Sequence, residues 1–597
     1  MINTNTKKKV RDVILSFTVV LGIYVFCAYF FDFFYYLNDD MAIKDILSGI
    51  YTGKPDGHTN QVLYPLGWLV SCFYKWFPKL PIFGFLLCTC FGSCFAMISY
   101  RIQKFFWEQK VKYAITVLLA GVFLSFMLWE LIYVQYTVVC GVLAGTACFW
   151  FYTTPIDVTV EEFWKENFLA LILVWLGFFV RSEMLLLITP FLAVAGIWHW
   201  AETTKDKKEN SIEIGNVSIG KYIFAKDNIG KYIGFLFAMV LGLVIAAGVD
   251  FLAYRSGEWQ EYRSFFNART RVYDYTWYPD YEQQQEFYRE NKISKIQYQL
   301  IDNYNFGLDP TITEDTMEVI ASFGEKGRVL GSMPYRIKNA VLEPLKRLLL
   351  FQDMPYSCFV FVGYGLVLGL AALQKEKSYF WKIALLWIMR CIPWFYIVYV
   401  QRTVDRVIHP LYVIEFIILL GLLVKELYDR PLWNVEKYYR MAVAAVLVIV
   451  ISLTLPLGFT KVKEEQLRRE ELLAGQQLWD EYAKSNPENY YYMDVYSMVH
   501  FMEKIFDHTD NRQKNYDLLG GWICHSPLQK EIMLQQGVRS IEEALLSDHI
   551  YFVAAKKRDI SFVKDYYSSK GIKISLQVTD TVGVGENTFV IYQIVER

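Results

Sequence analysis

About eleven runs of roughly 17–25 mostly apolar residues recur along this chain, each the length of helix that crosses a hydrocarbon layer of about 30 Å. They fall near 13–34, 81–100, 113–129, 131–151, 166–180, 184–200, 232–253, 357–373, 382–400, 409–424 and 441–459. A soluble chain of 597 residues would divide into several domains with charged surfaces, whereas here 54% of the residues are hydrophobic and 17% aromatic. The predicted fold class is a polytopic α-helical membrane protein of about eleven transmembrane helices. The net charge of −1 is segregated by segment and gives no reason to expect a nucleic-acid partner.

Basic residues collect at 7–11, 101–112, 205–231, 375–382 and 425–440. All five segments share one side if the N-terminus is cytoplasmic, the side that Lys- and Arg-rich short loops favour. The acidic loop 152–165 supports neither side. The first run, in RDVILSFTVVLGIYVFCAYFFDFFYY, is long and aromatic and lacks a small-residue cleavage site, so it reads as a retained helix. The stretch 61–78, QVLYPLGWLVSCFYKWFP, is short and interrupted by Pro65 and Gly67. Counting it as a span would put the next basic cluster outside, so it is expected to lie on the outer surface as an amphipathic helix.

The predicted organisation is a transmembrane domain over 1–460, with a first exterior loop at 35–80 and a large exterior loop at 254–356, then an extracytoplasmic C-terminal α/β domain over 461–597. In the tail, YYYMDV, HIYFVAAK, KISLQV and FVIYQIV read as strands, and SMVHFMEKIF and IEEALL as helices. The stem KVKEEQLRREELLAGQQLWDEYAK joins the tail to the last run. The expected location is the plasma membrane, multi-pass, with the N-terminus cytoplasmic and the C-terminal domain extracellular.

Asp39 and Asp40 stand just after the first run, in YYLNDDMAIKDILSGIY. Neighbours on a helix point about 100° apart, so the two carboxylates meet different partners. One can accept a proton from an incoming hydroxyl while the other orients it or binds a cation. A helix N-cap at Asn38-Asp39 accounts for one carboxylate but not for both. Arg181 and Glu183, in FFVRSEMLLL, are charges tightly flanked by apolar residues; they either bind substrate or simply pair and meet headgroups. Arg402 and Arg406, in YVQRTVDRVIHPLYV, would lie one turn apart on one helix face, able to grip a phosphate through forked hydrogen bonds. His58 is a candidate acid or substrate contact in the first loop.

Arg390 lies inside a run and either serves function or pairs with a buried carboxylate such as Glu130, which could face the same outer cavity. Asn267, Arg269 and Asp274 have the chemistry to hold a sugar, although ordinary polar surface explains them as simply. The seven histidines show no HxxxH or HxH spacing, and Cys88, Cys90 and Cys94 sit in an apolar run without His or carboxylate neighbours. No dedicated metal site or cofactor is expected, while the aspartate pair leaves a divalent cation open. Walker, GxGxxG and GxSxG motifs are absent, and Gly520-Gly521 is too short a signal for a nucleotide loop. Energy for any reaction must then arrive with the substrate.

The ordered set Asp39-Asp40, Ser48-Gly49, Pro55 and Tyr64-Pro65-Leu66-Gly67 resembles the GT-C superfamily of membrane glycosyltransferases, which includes protein O-mannosyltransferases and lipid A aminoarabinose transferases. Those enzymes carry an acidic pair in the first exterior loop, then an SG turn and a PPL helix; here Tyr64 stands in place of one proline. The likeness covers about the first hundred residues, and more loosely the topology to 460. It implies a first-loop aspartate as base and positive residues holding a polyprenyl-phosphate leaving group. The expected partners are a polyprenyl-phosphate-linked sugar donor, a glycan, lipid or protein acceptor, and membrane lipids. Two other functions remain open: a transporter or flippase for a lipid-linked saccharide, and a non-catalytic cell-envelope assembly protein. Against the transporter, no internal repeat is visible and the polar residues do not gather at the midplane.

Overall fold

The computed structural model describes every residue except 1–3, 107, 157, 203–210, 215–216, 221–225, 277, 327–331, 375–377, 430–434 and 508–511. Ten of its helices are long and apolar enough to cross a membrane, from Val10–Phe30 to Tyr438–Ser485. The remaining expected run is also helical but spans only 17 residues, Tyr136–Tyr152. Every residue of this helix is buried. Its sequence, YTVVCGVLAGTACFWFY, is uncharged and apolar on all sides, as befits a helix enclosed by others. Glycines set its packing: a Cβ on Gly141 would stand 2.7 Å from Pro410 Cβ, and one on Gly145 would stand 2.9 Å from Ile417 Cδ1. The helix Asp405–Leu427 therefore rests directly on its backbone.

The first run ends as helix at Phe30, four residues short of expectation, because its following backbone is claimed elsewhere. Phe34–Tyr35 pairs in parallel with Tyr133–Val134. The Tyr35 N–H donates to Glu503 O at 3.1 Å, and the Ile505 N–H to Phe33 O at 2.8 Å. Arg469 donates to the carbonyls of Tyr35 and Tyr36, each at 3.0 Å. The same pairing overturns the helix expected in SMVHFMEKIF: beyond a short turn at Val495–Ser497, the segment runs irregularly along the end of the first span. Main-chain groups must be paired somewhere, and here distant segments of the same chain take them.

The stretch 61–78 forms the helix Tyr64–Trp76, whose 13 residues reach about 20 Å, too short to cross. Leu66, Val70 and Tyr74 are buried while Trp68, Phe73 and Trp76 are exposed, so apolar residues line both faces. A second helix of this sort, Met333–Leu349, ends the loop 254–356; Val341, Leu345 and Leu349 are left exposed.

The tail holds a five-stranded sheet in the order Tyr516–Leu518, Tyr490–Met493, Ile550–Ala555, Asn587–Glu596, Ile574–Val584. The first three strands are parallel, and the last two form an antiparallel hairpin. The four expected strands are present; Tyr516–Leu518, only three residues long, was not legible as a strand. The tail does not pack by itself. Phe265, Leu300, Phe306 and Met317 of the preceding loop share one core with Tyr492, Leu519, Phe552 and Tyr566 of the tail. Last span and stem are a single helix, Val435–Ser485.

Several charges placed by sequence in loops or spans are structural. Arg390 pairs with Glu415 at 2.9 Å, both wholly buried, and not with Glu130. Lys382 pairs with Glu202 at 2.5 Å and with Glu426, and Lys425 pairs with Glu202 at 2.7 Å. Lys205, Lys207, Lys208, Lys221, Lys375, Lys377 and Arg430 lie outside the described residues.

Candidate active site

The helix Asn38–Ser48 begins where the pinned segment after the first span ends. Leu37 is extended, with φ −126°, and Asp40 reaches back to accept its N–H at 3.0 Å. Asp40 is fully buried. Burial pushes its carboxyl up to about 8; the N–H groups of Leu37 and Tyr136 oppose the rise, and the charge of Asp39 adds to it. Asp40 is thus the capping residue of its helix, tucked beside the start of Tyr136–Tyr152, and does not line the cavity. Asp39, one residue earlier and turned about 100° away, is half-buried and does.

The cavity has a volume of about 950 Å³, at the large end for a small-molecule site. Asp39, Met41 and Asp45 form one wall; the turn with Arg181 and Glu183 and the segment with Arg402 and Arg406 form a second. The loop adds Asn267, Arg269, Asp274 and Tyr304, and the tail adds Tyr496, Phe501, Lys514, Asp517 and Gly520-Gly521.

Arg181 connects the spans Val160–Val180 and Ser182–Glu202. It pairs with Glu183 at 3.3 Å, donates to the Gln61 carbonyl at 3.3 Å and to the Gln61 side chain, and lies 5.5 Å from the Tyr136 ring. Arg402 and Arg406 both reach the cavity but not from one helix, as the spacing predicted. Gln401 adopts a left-handed turn at φ +57°, Arg402 lies on the linker, and the helix restarts at Asp405. Arg402 pairs with Asp274 at 3.3 Å and lies 4.6 Å over Tyr275. Arg406 forms no ion pair or hydrogen bond within the described residues.

His58, expected to touch substrate, lies away from the cavity. Its Nδ1 meets Asp56 at 2.7 Å, its Nε2 faces the Ala253 carbonyl at 3.4 Å, and its ring stacks 4.6 Å from Trp259. It clamps the first loop onto the end of Ile229–Ala253 and the loop beyond. Glu130 is also turned inward, bonded to His409 Nδ1 at 2.6 Å and to the Tyr356 hydroxyl at 3.0 Å. Among the described residues no three His, Cys, Asp or Glu side chains converge as a metal-holding group.

The tail side of the cavity was not foreseen. Lys514 donates to Asp45 at 2.5 Å, and Lys44 bridges Asp45 and Glu503 at 2.7 Å each, tying the Asp39 helix to the tail. Burial would raise the Asp45 carboxyl, but Lys44 and Lys514 outweigh it and hold Asp45 below the usual range. Asp517 is pushed up to about 6 by burial, against hydrogen bonds from Gln529 at 3.0 Å, the Leu518 N–H and Tyr51. Nothing in the spacing of these residues separates them from ordinary polar surface. Compared with protein-family models, characterised proteins and solved structures, the chain matches none, so its chemistry is argued from this cavity alone.

Proposed function

We propose that this protein is a membrane glycosyltransferase of the GT-C kind. It transfers a sugar from a polyprenyl-phosphate donor to an acceptor hydroxyl at the outer face of a bacterial plasma membrane. One observation carries the reading: Asp39, Arg402 and Arg406 line a single large cavity at the ends of long apolar helices. An acid beside cations that are not all neutralised suits a reaction in which a proton is removed on one side and an anion departs on the other. Leu186, Leu187, Tyr396 and Ile397, from two candidate spans, form an apolar wall next to these arginines. Leu186 and Tyr396 are exposed, which offers a prenyl chain apolar surface beside the arginines.

In the proposed step the Asp39 carboxylate takes the acceptor's hydroxyl proton as that oxygen bonds to the anomeric carbon. The bond from that carbon to the phosphate oxygen breaks, and its electron pair leaves with the lipid phosphate. Arg402 and Arg406 stabilise the new charge, which leaves polyprenyl phosphate and the glycosylated acceptor as products. The test supplies purified protein with polyprenyl-phosphate sugars and an extract of surface glycans, and follows release of polyprenyl phosphate. Asp39→Asn is expected to slow release by at least about 100-fold with donor binding retained. Wild-type turnover by Asp39→Asn would end the assignment. Movement of an unaltered lipid-linked sugar between leaflets, without transfer, would favour a flippase.

A further inference from the structure

On the wall built by the loop and the tail, one buried cation makes no ion pair among the described residues. Arg269 ends the helix Gly257–Thr270, lines the cavity and is only 8% exposed. Its Nη2 donates to the Tyr304 hydroxyl at 2.5 Å, and Nη1 makes a marginal contact with Thr270 Oγ1 at 3.5 Å. Its Nε has no hydrogen-bond partner among the described residues. No carboxylate lies within ion-pair distance of it among the described residues. Rings of Tyr304, Phe266 and Tyr273 surround the guanidinium at 5.2, 5.7 and 5.7 Å. A planar cation with five donors, removed from water and left so under-bonded, is costly unless an anion completes it. Most of the other cavity cations are provided for: Arg181 by Glu183, Arg271 by Glu318 and Glu325, Arg402 by Asp274 and Lys514 by Asp45.

The tail brings main-chain donors to the same cavity. A Cβ on Gly520 would stand 1.9 Å from the Tyr304 carbonyl oxygen, so only glycine lets the tail loop lie against the residue that holds Arg269. The Gly307 N–H donates to Leu519 O at 2.8 Å and locks the two loops together. Gly520 and Gly521 line the cavity, and their own N–H groups donate no hydrogen bond within the described residues.

We propose that Arg269, with the Gly520-Gly521 main chain beside it, is an anion-binding subsite for a carboxylate or phosphate carried by the acceptor saccharide, distinct from the lipid-phosphate position at Arg402 and Arg406. Arg269 and Asp39 line the same cavity, and Arg269 feels the charge of Asp274 and, more weakly, of Asp39, so a saccharide anchored there presents its hydroxyls toward the proposed base. Assigning the anion to the acceptor rests on the glycosyl-transfer reading; the anion site itself does not.

The experiment measures binding of three probes to the full chain in nanodiscs: a uronic-acid tetrasaccharide, its carboxyl-reduced neutral form, and a glycerol-phosphate tetramer. Wild type is expected to bind at least one acidic probe about tenfold or more tightly than the neutral one, and which acidic probe wins identifies the anion. Arg269→Gln should abolish that preference and Arg269→Lys should retain part of it. Equal binding of all three probes by wild type, which needs no variant to fold, overturns the subsite, as does a preference that survives in Arg269→Gln. Either result leaves Asp39-dependent release of polyprenyl phosphate untouched, so this inference and the proposed function fail separately.

Discussion

Asp39 and Asp40 are neighbours in sequence with opposite surroundings, and the difference is measurable. Asp40 would titrate near 3.8 in an unfolded chain and at about 8 in the fold. The folded state holds that proton more tightly, so the stability it contributes is full below about pH 3.8 and declines as pH rises to about 8. Asp40→Asn keeps an oxygen for the Leu37 N–H and removes the titration. This variant is expected to retain sugar transfer within a few-fold and to lose less melting temperature than wild type between pH 5 and pH 8. Equal losses in the two proteins would show that Asp40 is not held protonated. His58, stacked on Trp259 and bonded to Asp56, is expected to matter for stability alone: His58→Ala should lower the melting temperature and leave the KM for donor unchanged.

At the scale of elements, the helix Tyr64–Trp76 is seated by a glycine pair as well as by its buried Leu66, Val70 and Tyr74. A Cβ on Gly67 would stand 2.3 Å from the Gly57 carbonyl oxygen, so Gly67→Ala must push the first loop off its helix. A cost of roughly 1–3 kcal/mol is expected in detergent unfolding. Gly22, with nothing within 4 Å of its virtual Cβ, is the control: Gly22→Ala should change stability by less than about 1 kcal/mol. A Gly67→Ala protein as stable as the Gly22→Ala control would mean that the Gly57 carbonyl does not lie against Gly67.

The whole molecule is held together by a core that crosses its sequence order. Residues of 257–326 and of the tail pack in one cluster, and the Lys44–Asp45–Lys514 bridge fastens the Asp39 helix to the tail. A chain ending at 485 should therefore expose Phe265, Leu300, Phe306 and Met317 and open one wall of the cavity. Proteolysis within 257–326 is expected to accelerate at least tenfold in that truncation while the span helices stay protected in lipid. Unchanged protection of the loop would show that it folds without the tail.

Residue order by itself determined the number and approximate limits of the apolar helices, the short helix at 64–76 and four of the five tail strands, because length, periodicity and Pro or Gly punctuation are local properties. It also brought out Asp39 as one of an acidic pair, Arg181 as a charge tightly flanked by apolar residues, and Arg402 and Arg406 by their spacing. Tertiary structure alone decided that Asp39 meets the cavity while Asp40 caps a helix, that Arg402 and Arg406 come from a linker and a helix, and that Glu130 belongs to His409. The tail's place on the cavity wall and the unpaired state of Arg269 were settled there too. Each of these depends on which distant backbone or side chain completes a hydrogen bond or an ion pair, and such partners lie up to several hundred residues away, as Asp45 and Lys514 do.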